Sequence, residues 1–372
     1  MNSLVYKIRQ KMAPSKHHFD AKIDEADRKL DYLNSVISDD SSENNQFSAL
    51  FDRIDMYNIS QLKISRPNLS DRDAKIMLFR NLPAATGDMA LYQSANSKLL
   101  HELDKICRDN NLHYWMWAGS AIAVEARGTA IPWDDDVDVC IMRDDLKKLI
   151  SATKGNSSYG VTICYDYRAK NIQYRFVSRN RNILNFIDLV ACDYATEYTP
   201  EGDAQYKALK RNIIHEFEVA PELEGWRREN FIYNEKDNVT LPQRSHRTSG
   251  AIDSNEAQAI NTIYTKYHEI SIKQGLLTND QNKSNAIAYG LDGLFNFPKR
   301  QDIWDKSIIF PLVDKKYDDF SVMAACNNRT FCDICYSNWP YIPHLIKYGE
   351  HSLNQLDLHP EYRKALIEFV SQ

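Results

Sequence analysis

At 372 residues, with 43% hydrophobic and 26% charged side chains, the chain has the composition of a soluble globular protein holding one main domain and an extension. A net charge of −5 excludes a general nucleic-acid binder, which would be basic, but leaves room for a local basic groove around one phosphorylated substrate. No apolar run is long enough to span a bilayer and the first residues do not read as a secretory signal. A cytoplasmic protein, at most peripheral at a membrane, is the expectation.

In chain order, residues 1–20 are polar and basic. Ile23, Ala26, Leu30, Leu33 and Ile37 then form a helical stripe at heptad spacing. The stripe covers only about two heptads, so packing on the main domain is favoured, with a homodimer contact through this helix as the alternative. Residues 38–46 are acidic, polar and non-periodic and read as a linker; a second helical piece covers Phe47 to Tyr57. Residues 1–71 thus form a helical extension, and a catalytic domain spans 72–372.

Within that domain, periodicity predicts a helix from Met89 to Asn110, stopped by Asp109-Asn110-Asn111. A short aromatic strand, His113 to Ala118, closes at Gly119-Ser120 and leads into a small helix, Ala121 to Ala126. After the Gly128 turn comes an acidic strand, then a helix from Asp144 to Ser151. Tyr174 to Val177 and Asn185 to Cys192 read as paired strands, with Asp188 in the middle of the second. Residues 200–285 have helical propensity and read as an insertion or substrate-binding region. A strand near Phe320 to Met323 and helices around Thr330–Trp339 and Pro360–Val370 follow.

The seven cysteines are scattered and most lie in apolar runs, which suits reduced core thiols. Cys332-x-x-Cys335 with Cys326 upstream is the one grouping that could serve zinc, but no second CxxC or His pair completes it.

The segment Ile131-Pro-Trp133-Asp134-Asp135-Asp136-Val137-Asp138-Val139 places four carboxylates in five positions. Like charges this close repel, so folding alone does not explain them, whereas a hard divalent cation such as Mg²⁺ or Mn²⁺ would. In extended backbone Asp136 and Asp138 share a face with Asp134 next in line, while Val137 and Val139 point into the core. A solvated acidic turn is the plain alternative. Upstream, backbone N–H groups at Gly119-Ser120 can bind phosphate oxygens where the helix opens. Downstream, Asp188 can complete a metal shell or accept a proton. Arg175 can clamp a diphosphate. Trp115, Trp117 and Trp133 read as core or lining residues, with an aromatic cage for a quaternary ammonium as the sharper alternative.

Trp117-Ala-Gly119-Ser120 and Ile131-Pro-Trp-Asp-Asp-Asp136-Val-Asp138 together resemble the LicD/fukutin family. The lead-in His101 to Trp115, the segment Asn185-Phe-Ile-Asp188, and the blocks Ile309-Phe-Pro-Leu312 and Tyr336-Ser-Asn-Trp339 resemble further family segments. The resemblance covers roughly 90–195 and 305–340. It implies an α/β (α+β) fold, a nucleotidyltransferase-like mixed sheet flanked by helices. It also implies a metal-dependent phosphotransferase that moves a phosphorylated alcohol, phosphocholine or ribitol phosphate, from a CDP-activated donor onto a glycan hydroxyl. By position, Asp136 and Asp138 would be metal ligands, Asp134 an auxiliary ligand, and Asp188 a third ligand or base. Gly119, Ser120, Arg127 and Arg175 would bind donor phosphate, and Trp117 and Trp133 would line the substrate. Two departures stand out. Family members usually carry Arg where this chain has Ala126, with Arg127 one place later, and Leu-Leu-Gly where it has Ala121-Ile122-Ala123.

Three other readings share some of these features. A nucleotidyltransferase moving NMP from an NTP to a small molecule, protein or RNA end would use the same metal strand. A GT-A glycosyltransferase also carries Asp-x-Asp, but usually after a longer nucleotide-binding unit. A pseudoenzyme scaffold recruiting a partner through its N-terminal helices would not need the full acidic set.

Overall fold

A computed structural model describes residues 56–229, the backbone of 231–233, residues 254–293, 301–336 and 359–372, and the single positions Trp339, Leu353 and Leu356. The helix predicted from Ile23, its dimer contact, the linker and most of the 47–57 helix lie outside the described residues. The chain divides into two compact units, one made of Met1–Phe79 with Tyr341–Tyr348, the other of Arg80–Pro340 with Gly349–Gln372. In the first unit, backbone 56–65 is helical and α1 (Asp71–Arg80) begins. The Ser70 hydroxyl accepts from the Asp73 N–H at 3.0 Å, an N-cap satisfying a donor that the helix cannot.

The second unit carries the site. Its first helix, α2 (Gly87–Asp109), buries Met89, Tyr92, Ala95, Leu99 and Leu103 along one stripe. It stops where Asn111 turns left-handed at φ 53°. Then come β1 (Tyr114–Met116), α3 (Ala118–Ala126), β2 (Asp138–Met142), α4 (Arg143–Thr153), β3 (Tyr159–Asp166), β4 (Asn171–Ser178) and β5 (Phe186–Ala195). The 200–285 region supplies α5 (Pro200–Val219), α6 (Glu224–Glu229), β6 (Phe231–Tyr233) and α7 (Asn255–Lys273). Tyr206, Phe217, Trp226, Ile260 and Tyr264 from this region pack with Tyr165, Ile172 and Ala195 of the sheet, so it shares the sheet's core. The chain continues through β7 (Ala286–Tyr289), β8 (Ile303–Asp305), β9 (Val313–Tyr317), β10 (Phe320–Ala324), α8 (Asn328–Cys335) and α9 (Pro360–Ser371).

Among the described residues the main sheet runs β1-β2-β5-β4-β3-β6, with β7 paired to β5 and β8 paired to β7. The β2–β5 pair is parallel and the other pairs are antiparallel, giving a mixed α/β sheet flanked by helices. Strand β5 is the hinge of the topology. Its first half pairs with β4 from Phe186 to Leu189, and its second half pairs with β7 from Cys192 to Ala195. Val139, Ile141, Phe176, Ile187 and Leu189 fill the core behind the acidic strand. No described helix is long and apolar enough to cross a membrane.

All seven cysteines are free thiols, six of them buried and Cys326 partly exposed. Cys326 Sγ donates to the Ser307 and Ile308 carbonyls. Cys335 lies 3.6 Å from the Tyr289 hydroxyl. Among the described residues, the three-residue grouping able to hold a metal is acidic rather than thiol.

Candidate metal-dependent active site

The acidic segment enters β2 at Asp138, which stands in register with Asp188 on the parallel neighbour β5. Opposed residues in paired strands project on the same face, so these two carboxylates, 50 residues apart in sequence, converge. Asp136, two residues earlier on the same extended backbone, joins them. One carboxylate oxygen from each of Asp136, Asp138 and Asp188 lies within 4.8 Å of the others. Asp188 Oδ1 also accepts from Arg175 Nε at 2.6 Å, because Arg175 is the register partner of Asp188 on β4. The Arg175 guanidinium sits 3.9 Å over the Phe186 ring, which fixes its plane.

The electrostatics mark the cluster. Burial pushes the Asp138 carboxyl well above its ordinary range, and the negative charges of Asp136, Asp188 and Asp134 push it further, with Arg175 opposing them. Burial raises Asp134 in the same way, followed by the charge and hydrogen bond of Asp136 and the charge of Asp135. Three convergent carboxylates, with the Asp138 carboxyl raised by its neighbours' charge, are the donor set a hard divalent cation relieves, so the residues fit Mg²⁺ or Mn²⁺. Asp135 points the other way and is buried. Its carbonyl accepts from Asn96 Nδ2 at 3.1 Å.

The Gly-Ser turn lies inside α3 rather than ahead of it, since the helix begins at Ala118, three residues before the predicted start. Ala118 takes φ 50°, a left-handed conformation costing an alanine about 1–2 kcal/mol, and this kink redirects the chain from β1 into the helix. The Trp117 N–H donates to the Asp138 carbonyl at 2.9 Å, and the Asp138 N–H donates to Ser120 Oγ at 3.0 Å. Helix α3 is therefore pinned to the acidic strand from both directions, and the Ser120 hydroxyl has a structural partner. Gly119 is required by close approach: Asp134 Oδ2 occupies the space where a Cβ would sit.

The remaining expected residues differ in placement. The Arg127 guanidinium donates to the Ala130 carbonyl at 3.2 Å and the Leu82 carbonyl at 3.0 Å, bracing the turn after α3. Trp117 is buried, donating its indole N–H to the Tyr289 hydroxyl at 2.5 Å, so it supports the site from within rather than forming an open wall. Trp115 packs edge-on against Phe310, and Trp133 is half-buried beside the acidic run.

Sequence reading missed three amides that hold the acidic loop. Gln93 Nε2 on α2 donates to the Ile131 and Asp134 carbonyls at 2.7 and 2.8 Å. Asn96, one turn on, grips Asp135 and accepts from Asn185 Nδ2 at 2.6 Å. Asn185 also donates to the Tyr92 carbonyl, tying the start of β5 to the same helix. The available signal was Asn96 itself, an amide inside the apolar stripe of α2, where a buried polar group needs a partner.

Comparison with known proteins agrees with this geometry. Residues 111–221 match the family model described as LicD/FKTN/FKRP, nucleotidyltransferase domain, a span holding Gly119-Ser120, the acidic strand, Arg175 and Asp188. No curated protein matches the chain. Over residues 111–221, then, the chain is similar to the LicD/FKTN/FKRP nucleotidyltransferase domain.

Proposed function

We propose that the protein is a metal-dependent phosphotransferase of the LicD type. It would move a phosphorylated alcohol, phosphocholine or a polyol phosphate, from a CDP-activated donor onto a hydroxyl of a cell-surface or capsular glycan. The observation that carries this reading is the convergence of Asp136, Asp138 and Asp188 within 4.8 Å, with Arg175 bonded to the third carboxylate. The acceptor oxygen attacks the phosphorus bearing the alcohol, the diphosphate bridge breaks, and CMP leaves with the bridging oxygen. The product is a phosphodiester.

Asp136 and Asp138 hold the divalent cation, with Asp134 as an auxiliary ligand from its position over Gly119. A bound cation supplies charge neutralisation at the donor phosphates and polarises them. Asp188 serves as third ligand or takes the proton of the attacking hydroxyl. Arg175 orients it through Oδ1 and presents positive charge where the phosphates lie. The start of α3, which has no side-chain cap, offers backbone N–H groups of the kind that bind phosphate.

The test is CMP release from CDP-choline, CDP-ribitol and CDP-glycerol with Mg²⁺ and acceptor sugars. Asp136→Ala and Asp138→Ala are expected to abolish it, and unchanged turnover in both would sink the site assignment. Because the matched domain is described as a nucleotidyltransferase, α-labelled NTPs belong in the same assay. Transfer of label from these, with no use of CDP-alcohols, would favour NMP transfer instead.

A further inference from the structure

Strands β3 and β4 have unlike faces. On one, Ile163, Tyr174 and Phe176 pack into apolar core. The other continues the row of the acidic cluster: Asp138 pairs with Asp188, Asp188 with Arg175, and Arg175 with Thr162. Opposed residues share a face, so the Thr162 side chain projects on the side of the carboxylates and Arg175. Thr162 is 1% exposed, and its Oγ1 has no hydrogen-bond partner among the described residues. Farther along the same face, Asn171 Oδ1 is likewise buried without a partner, opposite Asp166. Buried polar atoms are ordinarily paired, so two orphans on one face beside a phosphotransfer site point to a ligand that satisfies them.

We propose that this face of β3 and β4 is the floor receiving the nucleoside half of a nucleoside diphosphate donor, with the Thr162 hydroxyl as its hydrogen-bond partner. The inference rests on the donor reading above and extends it to residues outside the cluster. Three strand spacings place Thr162 about 14 Å from Asp138. Phosphates held at the carboxylates and Arg175 therefore leave ribose and base to reach across β4 toward β3. A threonine hydroxyl both donates and accepts, which suits a ribose hydroxyl or the edge of a base.

The test is calorimetric titration of the full chain with CDP and, separately, with pyrophosphate, both in Mg²⁺. The proteins compared are the unaltered chain, Thr162→Val and Thr162→Ser. Thr162→Val is expected to weaken CDP roughly fivefold, the effect of one lost hydrogen bond, and to leave pyrophosphate binding unchanged. Its melting temperature should hold or rise, because an apolar isostere removes an orphaned group. Thr162→Ser should retain CDP binding. Equal CDP affinity in Thr162→Val and the unaltered chain overturns the proposal, as does a parallel loss of pyrophosphate. Failure of the unaltered chain to bind CDP at all overturns the donor reading together with it.

Discussion

Asp138 and Asp188 stand opposite one another across the parallel β2–β5 pair, and Arg175 on β4, beyond β5, donates to Asp188 Oδ1 at 2.6 Å. Burial and the charges of Asp136, Asp188 and Asp134 raise the Asp138 carboxyl, and the charge of Arg175 opposes them. A cation held among these carboxylates would relieve that repulsion.

Replacing Asp138 by Asn should accordingly stabilise the metal-free protein, by about 1 kcal/mol, while removing its response to Mg²⁺. Thermal melts with and without the ion read both effects. A metal-free Asp138→Asn that melts below the unaltered protein would contradict the electrostatic picture.

Gly119→Ala drives a methyl group into the Asp134 carboxylate. Overpacking costs about 1–3 kcal/mol, and a displacement near 1 Å at a reacting centre can cost about 100-fold in rate. Turnover is thus expected to fall far more than stability, measured as kcat alongside urea unfolding.

Gln93 touches no expected ligand side chain, yet it holds the carbonyls of Ile131 and Asp134. Gln93→Met should weaken Mn²⁺ binding about 10- to 100-fold, the usual effect of losing a group that orients a ligand. Titration followed by the signal of free Mn²⁺ in electron paramagnetic resonance would measure it. Unaltered affinity would confine Gln93 to holding the fold.

Remote from the cluster, Arg143 at the start of α4 bonds Asp193 at 2.6 Å and Asp292 at 2.7 Å. Burial alone would raise Asp292, but the charge and hydrogen bonds of Arg143, with Tyr174, hold it below the ordinary carboxylate range. A depressed carboxyl contributes stability fully above its unfolded pKa and loses it as pH falls through the folded value. Arg143→Met strands two buried carboxylates and should cost about 3–5 kcal/mol at neutral pH. That deficit should shrink in acid, which urea unfolding from about pH 7 to about pH 4 would reveal.

Much of the local structure was legible. The apolar spacing of Leu91 to Ile106 and the Asp-Asn-Asn stop mark α2 to within two residues of its observed ends. Alternation marks β4 and β5 as a pair. The start of α3 was misplaced because Ala118 enters it through a left-handed turn, a conformation alanine rarely adopts and composition does not announce. The charge of Arg127 is visible in the sequence, whereas the carbonyls of Leu82 and Ala130 that engage it are not.

By itself the sequence determined that four carboxylates crowd one strand entrance and that Asp188 sits mid-strand, since both follow from local spacing and alternation. Only the tertiary structure decided which of these residues meet. The β2–β5 register puts Asp188 beside Asp138, and α2 holds the loop through Gln93 and Asn96. The same sheet carries the row on through Arg175 to Thr162. Register and packing join residues far apart in the chain, and short-range pattern holds no record of those distances.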